Sequence, residues 1–343
     1  MYKVRTHAAA NAKAKVMIGK LLKDEDFHAL INMDSLEEVK AYIMTRTHYK
    51  NLVWTTSEDT QDFEVLLKKH FFNAYEKFFH FYVDEYREFI KAMFCRYEVE
   101  NLKLFIRTLS RNEPLSRIIN HLMYSHLYSN IDYTALEKVD NMDAFMSAIK
   151  GTEYYEPLFT YMDEDPVQMS FHMEMMLDRR YFNRLYASIL KLKKRDKALM
   201  LDLLGVNVDI LNVQWIYRGR MYFNISSEEL FNFTLNAGKK YDYKALKALC
   251  YMELGAYRDT ISSGDYADIF KDKAYMMERA MEKHLYDILD DVTKHAENSI
   301  AWPVVLIFKF EYEIRDLFTI MEAKKYNMKN IHELLIRDLK GAI

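Results

Sequence analysis

The sequence predicts an all-α protein made of three similar helical units. Three observations predict it: few helix breakers, apolar residues at helical spacing, and a set of motifs that recurs three times in the same order. Of 343 residues only 8 are Gly and 4 are Pro, against about 12% for the two together in average domains. The turn residues that hairpins and Gly-rich loops require are therefore scarce. The length exceeds one ordinary core and calls for two or three domains.

Apolar residues recur at i, i+3, i+4 and i+7 along much of the chain, as in Leu102, Phe105, Ile106 and Leu109, and again in Ile314, Leu317, Phe318 and Met321. That period is the signature of a helix with one buried face. Breaks are expected at 32–35, 55–60, 112–114, Gly151, 163–166, Gly205, 224–227, Gly238 and 262–264, where caps and punctuators cluster. Asp34-Ser35 ahead of Glu37-Glu38, and Ser226-Ser227 ahead of Glu228-Glu229, read as N-caps followed by acidic first turns.

The repeat organises these helices. Its first motif is Asp-aromatic-x-Ala-Leu, beginning at Asp26, Asp132 and Asp242, with spacings of 106 and 110 residues. A small polar residue and a Tyr follow: Thr47 and Tyr49, Thr152 and Tyr154, Ser263 and Tyr266. The second motif is an acid, then Leu or Met, then two bulky residues. Its copies are Glu64 with Leu67, Phe71 and Phe72; Glu174 with Leu177, Tyr181 and Phe182; and Glu278 with Met281, Leu285 and Tyr286.

The third motif starts 34 or 35 residues later. Glu98, Asp209 and Glu313 are each followed three positions on by Asn101, Asn212 or Asp316. Apolar residues stand at +1, +4, +7 and +8: Val99, Leu102, Phe105 and Ile106; Ile210, Val213, Ile216 and Tyr217; Ile314, Leu317, Ile320 and Met321. At 100° per residue these four span roughly 120° of a helix, with the acid and amide at its edge. The boundaries that follow are an N-terminal helix at 1–22 and repeats at 23–115, 116–225 and 226–343. Polar residues flanking an apolar stripe satisfy backbone or neighbouring groups where helices meet, so the twelve acids and amides of the three motifs are read as structural, not catalytic.

Several chemistries are looked for and not found. Gly19-Lys20-Leu21, with Ala14 where a first Gly would stand, is not a phosphate-binding loop, and neither Gly-x-Gly-x-x-Gly nor Gly-x-Ser-x-Gly occurs. Cys95 and Cys250 lie in apolar helical patterns and read as core; two cysteines make no disulfide framework and fit a reducing cytoplasm. Glu25 and His28 have the spacing of a di-iron helix but lack a second copy. His80, Asp84 and Glu88 read as one charged helix face, and Met169, His172, Met173 and Met176 as a core stripe in a chain with 21 Met. The sequence thus implies no cofactor and no metal.

The 48 Lys and Arg against 51 Asp and Glu leave a charge of −3, without the net basic face that nucleic acid requires. Five basic residues between Lys191 and Lys197 read as an exposed helix face. The longest apolar run, Ile300 to Phe308, contains Pro303 and falls short of the roughly 20 residues of a membrane span. No signal peptide is expected at the N-terminus.

The order of motifs resembles the central-stalk C subunit of bacterial and archaeal V-type (A-type) ATPases, the counterpart of the eukaryotic d subunit, over nearly the whole chain. The resemblance rests on the aromatic, Ala-rich opening from Tyr2 to Leu22, and on Ile43, Thr47 and Tyr49. It rests also on Glu174, Leu177, Tyr181 and Phe182; on Glu98, Asn101, Leu102, Lys103, Ile106 and Arg107; and on Asp209, Asn212, Ile216 and Arg218. The third copy departs, with Asp316 and Glu322 in place of the Asn and Arg.

The resemblance implies three helical domains around a pseudo-threefold axis, forming a funnel. It implies a non-catalytic rotor part on the cytoplasmic side of the membrane, peripheral to it, that receives the shaft of D and F subunits and sits on the membrane rotor ring during H⁺ or Na⁺ transport. As an isolated chain it is expected to be a monomer. A helical repeat adaptor and a helical metalloenzyme are the competing readings.

Overall fold

The computed structural model describes residues 6–52, 59–125, 128–270, 276–294 and 296–339, and among them every regular element is a helix. In chain order these are α1 (Ala8–Ile18), α2 (Asp24–Asn32), α3 (Leu36–Arg46), α4 (Thr60–Glu76), α5 (Asp84–Ser110), α6 (Tyr133–Leu136), α7 (Met142–Ala148), α8 (Tyr155–Phe159), α9 (Pro166–Leu190), α10 (Lys194–Tyr222), α11 (Ser227–Phe233), α12 (Tyr243–Tyr251), α13 (Leu254–Ser262), α14 (Met277–Lys294), α15 (Ala301–Lys325) and α16 (Ile331–Leu334). Short 3₁₀ turns interleave them, including Lys77–Phe81 between α4 and α5. Tyr2 and the 55–58 part of one expected break lie outside the described residues.

Local chemistry sets the helix starts. The Ser35 hydroxyl accepts from the Glu38 N–H at 3.2 Å, and Ser226 and Glu229 cap each other reciprocally. Asp165 caps α9 with Pro166 in its first turn, where a missing N–H costs nothing. Two expectations are corrected. Gly205 does not break a helix, since α10 runs through it. A Cβ there would stand 3.0 Å from the Lys239 backbone nitrogen, so the glycine permits a close approach, which the 3.2 Å bond from the Lys239 N–H to the Gly205 carbonyl completes. His80 and Asp84 share no helix face, because the 3₁₀ turn ends at Phe81 before α5 begins.

The chain divides into two compact units: Met1–Tyr82 with Ala198–Leu203 and Arg258–Ile343, and Val83–Lys197 with Leu204–Tyr257. In the first unit α15 is the central element, with α1, α3, α4, α14 and α16 packed against it. Its N-terminal half is the long apolar run of the sequence; Ile300, Ala301, Val304, Val305 and Leu306 are core, and Pro303 lies in the first turn, where it is tolerated. Phe310 continues this core, its ring stacked on Phe71 of α4 at 4.3 Å between centroids.

In the second unit α5 lies along α9; α7 adds to α5, α8 and α11 add to α9, and α12 adds to α11. All twelve apolar stripe positions of the third motif are buried. Among the described residues α10 alone is long and apolar enough to cross a membrane, and 72% of that stretch is buried inside the protein.

Because Phe71 is fully packed against Phe310 and Tyr75, Phe71→Ala is expected to cost about 3–5 kcal/mol. Urea unfolding of the purified chain measures this, and a loss under about 1 kcal/mol would contradict the packing described.

Candidate functional site

The long helices present their repeated acids and amides to the polypeptide that passes them. On α15, Glu313 is fully buried. Its carboxylate accepts from the Leu22 N–H at 2.5 Å and the Tyr49 hydroxyl at 2.9 Å, and stands 2.8 Å from His48 Nε2. On α5, Glu98 accepts from the Tyr154 hydroxyl at 3.0 Å. On α10, Asp209 is fully buried and accepts from the backbone N–H groups of Lys240 and Tyr241 at 2.7 and 3.2 Å. A carboxylate taken out of water needs such donors.

The tyrosines are aimed by the small polar residue before them. Thr47 bonds back to the Ile43 carbonyl at 2.6 Å and accepts from the Tyr49 N–H at 3.2 Å; Thr152 does the same with Ile149 and Tyr154 at 2.7 and 3.3 Å. Burial, together with the neighbouring carboxylate, pushes both phenols well above the ordinary tyrosine value. Tyr49 and Tyr154 therefore stay protonated and donate. Each pair joins different copies of the repeat: Glu98 of the first copy meets Tyr154 of the second, and Glu313 of the third meets Tyr49 of the first.

Three residues after each acid, the amide or its replacement holds a passing segment, which for Asn101 and Asn212 leads to the next copy of the first motif and for Asp316 follows α16. Asn101 donates to the Met123 carbonyl at 2.8 Å and accepts from the Met123 N–H at 3.1 Å, and also donates to the Tyr133 hydroxyl. Asn212 treats Leu235 in the same way, at 2.9 and 2.7 Å. Asp316 has no amide protons to give. It accepts from the Ile336 N–H at 2.7 Å and from Arg337 Nε at 2.8 Å, and Arg337 donates onward to the Leu22 carbonyl at 3.3 Å while its guanidinium lies 3.6 Å from the centre of the Phe27 ring.

The first-motif acids act at helix starts. Asp132 and Asp242 cap α6 and α12, accepting from Ala135 and Ala245 at 3.1 and 2.9 Å. Asp26 sits inside α2, where it accepts from the Lys23 N–H at 2.8 Å and the Tyr42 hydroxyl at 2.7 Å. In the second motif, Glu64 pairs with Lys68 within α4, Glu174 of α9 takes a two-pronged contact from Arg107 of α5, and Glu278 lies in the first turn of α14.

Sequence reasoning missed the pair of buried Lys103 on α5 and half-buried Asp178 on α9. Burial pushes the Asp178 carboxyl up to about 6 against the pull of Lys103; burial opposes the Lys103 charge, but Asp178 and Glu100 hold it above the ordinary lysine value. Helical spacing could have placed both residues on inward faces, but nothing in the spacing says that those faces meet. His172 Nδ1 stands 2.6 Å from Glu164 Oε2, with the ring stacked on Phe233, among core methionines Met169 and Met173. Burial pushes the Cys95 and Cys250 thiols up to about 12, as inert core residues require. Among the described residues no three His, Cys, Asp or Glu side chains converge to hold a metal.

Glu313→Ala strips the buried Leu22 N–H and Tyr49 hydroxyl of their acceptor and is expected to destabilise the protein by about 3 kcal/mol, read by chemical unfolding; a neutral effect would refute the anchor. Close by, His70 has its pKa lowered, chiefly by burial and then by His48 and Lys77. The unfolded chain then binds more protons below its ordinary value of 6.5, so stability falls as pH drops through that value. The stability difference between the parent and His70→Gln is expected to narrow as pH falls from about 7 to about 5, measured by urea unfolding across that range; a gap independent of pH would contradict it.

A family model described as ATP synthase (C/AC39) subunit matches residues 10–333. The C subunit of the A-type ATP synthase of Thermococcus kodakarensis is 22% identical over 322 residues, covering 92% of this chain and 86% of that protein. The protein of the same name from Methanocaldococcus jannaschii is 23% identical over 356 residues, with 96% and 86% covered. That from Methanosarcina acetivorans is 24% identical over 248 residues, with 71% and 67% covered.

Proposed function

From the premise that this chain belongs to the ATP synthase (C/AC39) subunit family, whose role in the complex is structural and not catalytic, we propose that it is the rotor coupling between the D and F shaft and the membrane ring. It sits peripherally on the cytoplasmic side, and carries rotation between ATP turnover and H⁺ or Na⁺ movement. Its three repeats, at 23–115, 116–225 and 226–343 after the N-terminal helix, form similar domains about a pseudo-threefold axis that open as a funnel for the shaft.

The observation that supports this best is the way the polar anchors are spent. Glu98, Asn101, Asp209, Asn212, Glu313 and Asp316 all hold neighbouring chain in place, which suits a part that must be stiff. Moving one elementary charge against 100 mV takes about 2.3 kcal/mol. Joints that carry such a load without slipping call for specific interfaces of roughly 1,000 Å² or more. A pseudo-threefold body on a ring of different symmetry cannot repeat the same contact three times, so the three repeats make unequal contacts.

Removing this chain from the assembled enzyme is expected to abolish ATP-driven ion transport in reconstituted vesicles while leaving most ATP hydrolysis by the soluble sector. Hydrolysis lost in parallel through a single substitution in this chain would point to chemistry instead. A structure of the whole complex with three equivalent footprints would refute the unequal contacts.

A further inference from the structure

The Glu25-x-x-His28 spacing on α2 has no second copy in the sequence, yet the fold brings His28 a partner from the opposite end of the chain. The ring of His332, on α16, lies 6.0 Å from the His28 ring, centre to centre, with the planes 49° apart. The two are therefore not a stacked pair. His28 Nε2 is buried and has no hydrogen-bond partner among the described residues, an arrangement that costs free energy unless something supplies one. His332 is exposed, so the pair is not sealed from solvent.

The fold already fixes both backbones. Lys324 Nζ grips the end of α2, donating to the Ile31 and Met33 carbonyls at 2.6 Å each, and the Arg337 guanidinium covers the Phe27 ring beside His28. On α16, Ile331 is buried immediately before His332. Just beyond it, Arg279 Nε donates to the Leu335 carbonyl at 2.7 Å and the Ile336 N–H donates to Asp316 at 2.7 Å. All of these residues belong to the first unit. Side chains carried on elements held in this way lose little freedom on binding a ligand.

A cation held at about 2.0–2.1 Å by one nitrogen of each of two imidazoles sets the ring centres roughly 5–6 Å apart. The observed separation of 6.0 Å meets the upper end of that range. We propose that His28 and His332 form a two-histidine site for a divalent transition cation such as Zn²⁺, which ties α2 to α16. Among the described residues no group of three His, Cys, Asp or Glu side chains converges, so the chain supplies two nitrogens and water fills the remaining positions. Imidazole selects late first-row cations of this kind over Mg²⁺, which prefers oxygen. The site is independent of the chain's role as a coupling.

Calorimetric titration of the purified chain with zinc chloride, paired with urea unfolding over a series of zinc concentrations, tests it. One zinc per chain is expected. Once free zinc exceeds its dissociation constant, the unfolding equilibrium constant is expected to fall about ten-fold for each ten-fold rise in zinc. His332→Gln, at an exposed position, is expected to unfold like the parent without zinc and to lose the zinc dependence. His28→Gln is expected to lose it as well, while His80→Gln, also exposed, keeps it. Magnesium chloride at the same concentrations is expected to leave the parent unchanged. Zinc heat and stabilisation that survive in His332→Gln mark an adventitious ion only and overturn the proposal. A parent chain indifferent to zinc, or stabilised equally by magnesium, overturns it too.

Discussion

A carboxylate with no exposure to water has to be supplied with donors, and Glu313 draws its donors from the far end of the sequence. The Leu22 N–H, the Tyr49 hydroxyl and the His48 ring all converge on it, so α15 cannot pack in any register that leaves the N-terminal segment elsewhere. Arg337 strengthens the same closure, joining Asp316 to the Leu22 carbonyl and covering Phe27. Removing one partner from such a group leaves a buried polar atom unsatisfied, which costs more than the bond was worth when made. The apolar face of α15 supplies most of the packing energy; the carboxylate decides which packing is allowed.

In the second unit the same demand falls on fully buried Asp209, and half-buried Glu98 makes a similar contact. Glu98 takes its donor from Tyr154, and Asp209 from the backbone of Lys240 and Tyr241. Lys240 and Tyr241 stand just before the opening motif that begins at Asp242, and Tyr154 follows the one that begins at Asp132. Anchors that reach into the next copy, and from the last to the first, make the boundaries of the sequence repeat differ from the boundaries of contact. This explains why α5 belongs with α9 while α4, from its own copy, belongs with α15.

That offset was the part hidden from sequence reasoning. Periodicity marks which side of a helix is buried, and all twelve stripe residues of the third motif are indeed interior; the caps at Ser35 and Ser226 were equally readable, because they act within three residues. Periodicity carries no information about which inward faces meet. The pair of Lys103 with Asp178 is therefore absent from any one-dimensional reading, as is the role of Gly205, set by a backbone more than 30 residues away. His80 and Asp84 show the opposite error: a four-residue spacing implies a shared face only if the helix is continuous, and a 3₁₀ turn ends between them.

The departure of the third copy shows what the repeated amide is required to do. Asn101 and Asn212 each satisfy both an N–H and a carbonyl of one backbone residue. Asp316 accepts the Ile336 N–H in the same manner but cannot donate, and its extra negative charge would be costly where water is excluded. Arg337, adjacent to Ile336, supplies the missing positive charge at 2.8 Å and also reaches the Leu22 carbonyl. The substitution is then tolerable only with its partner. What is common to the three copies is not a reactive group in a fixed geometry but the satisfaction of backbone in a passing segment, and different side chains can meet that demand. A catalytic constellation would not allow such latitude, since its groups must match one transition state; a structural anchor does.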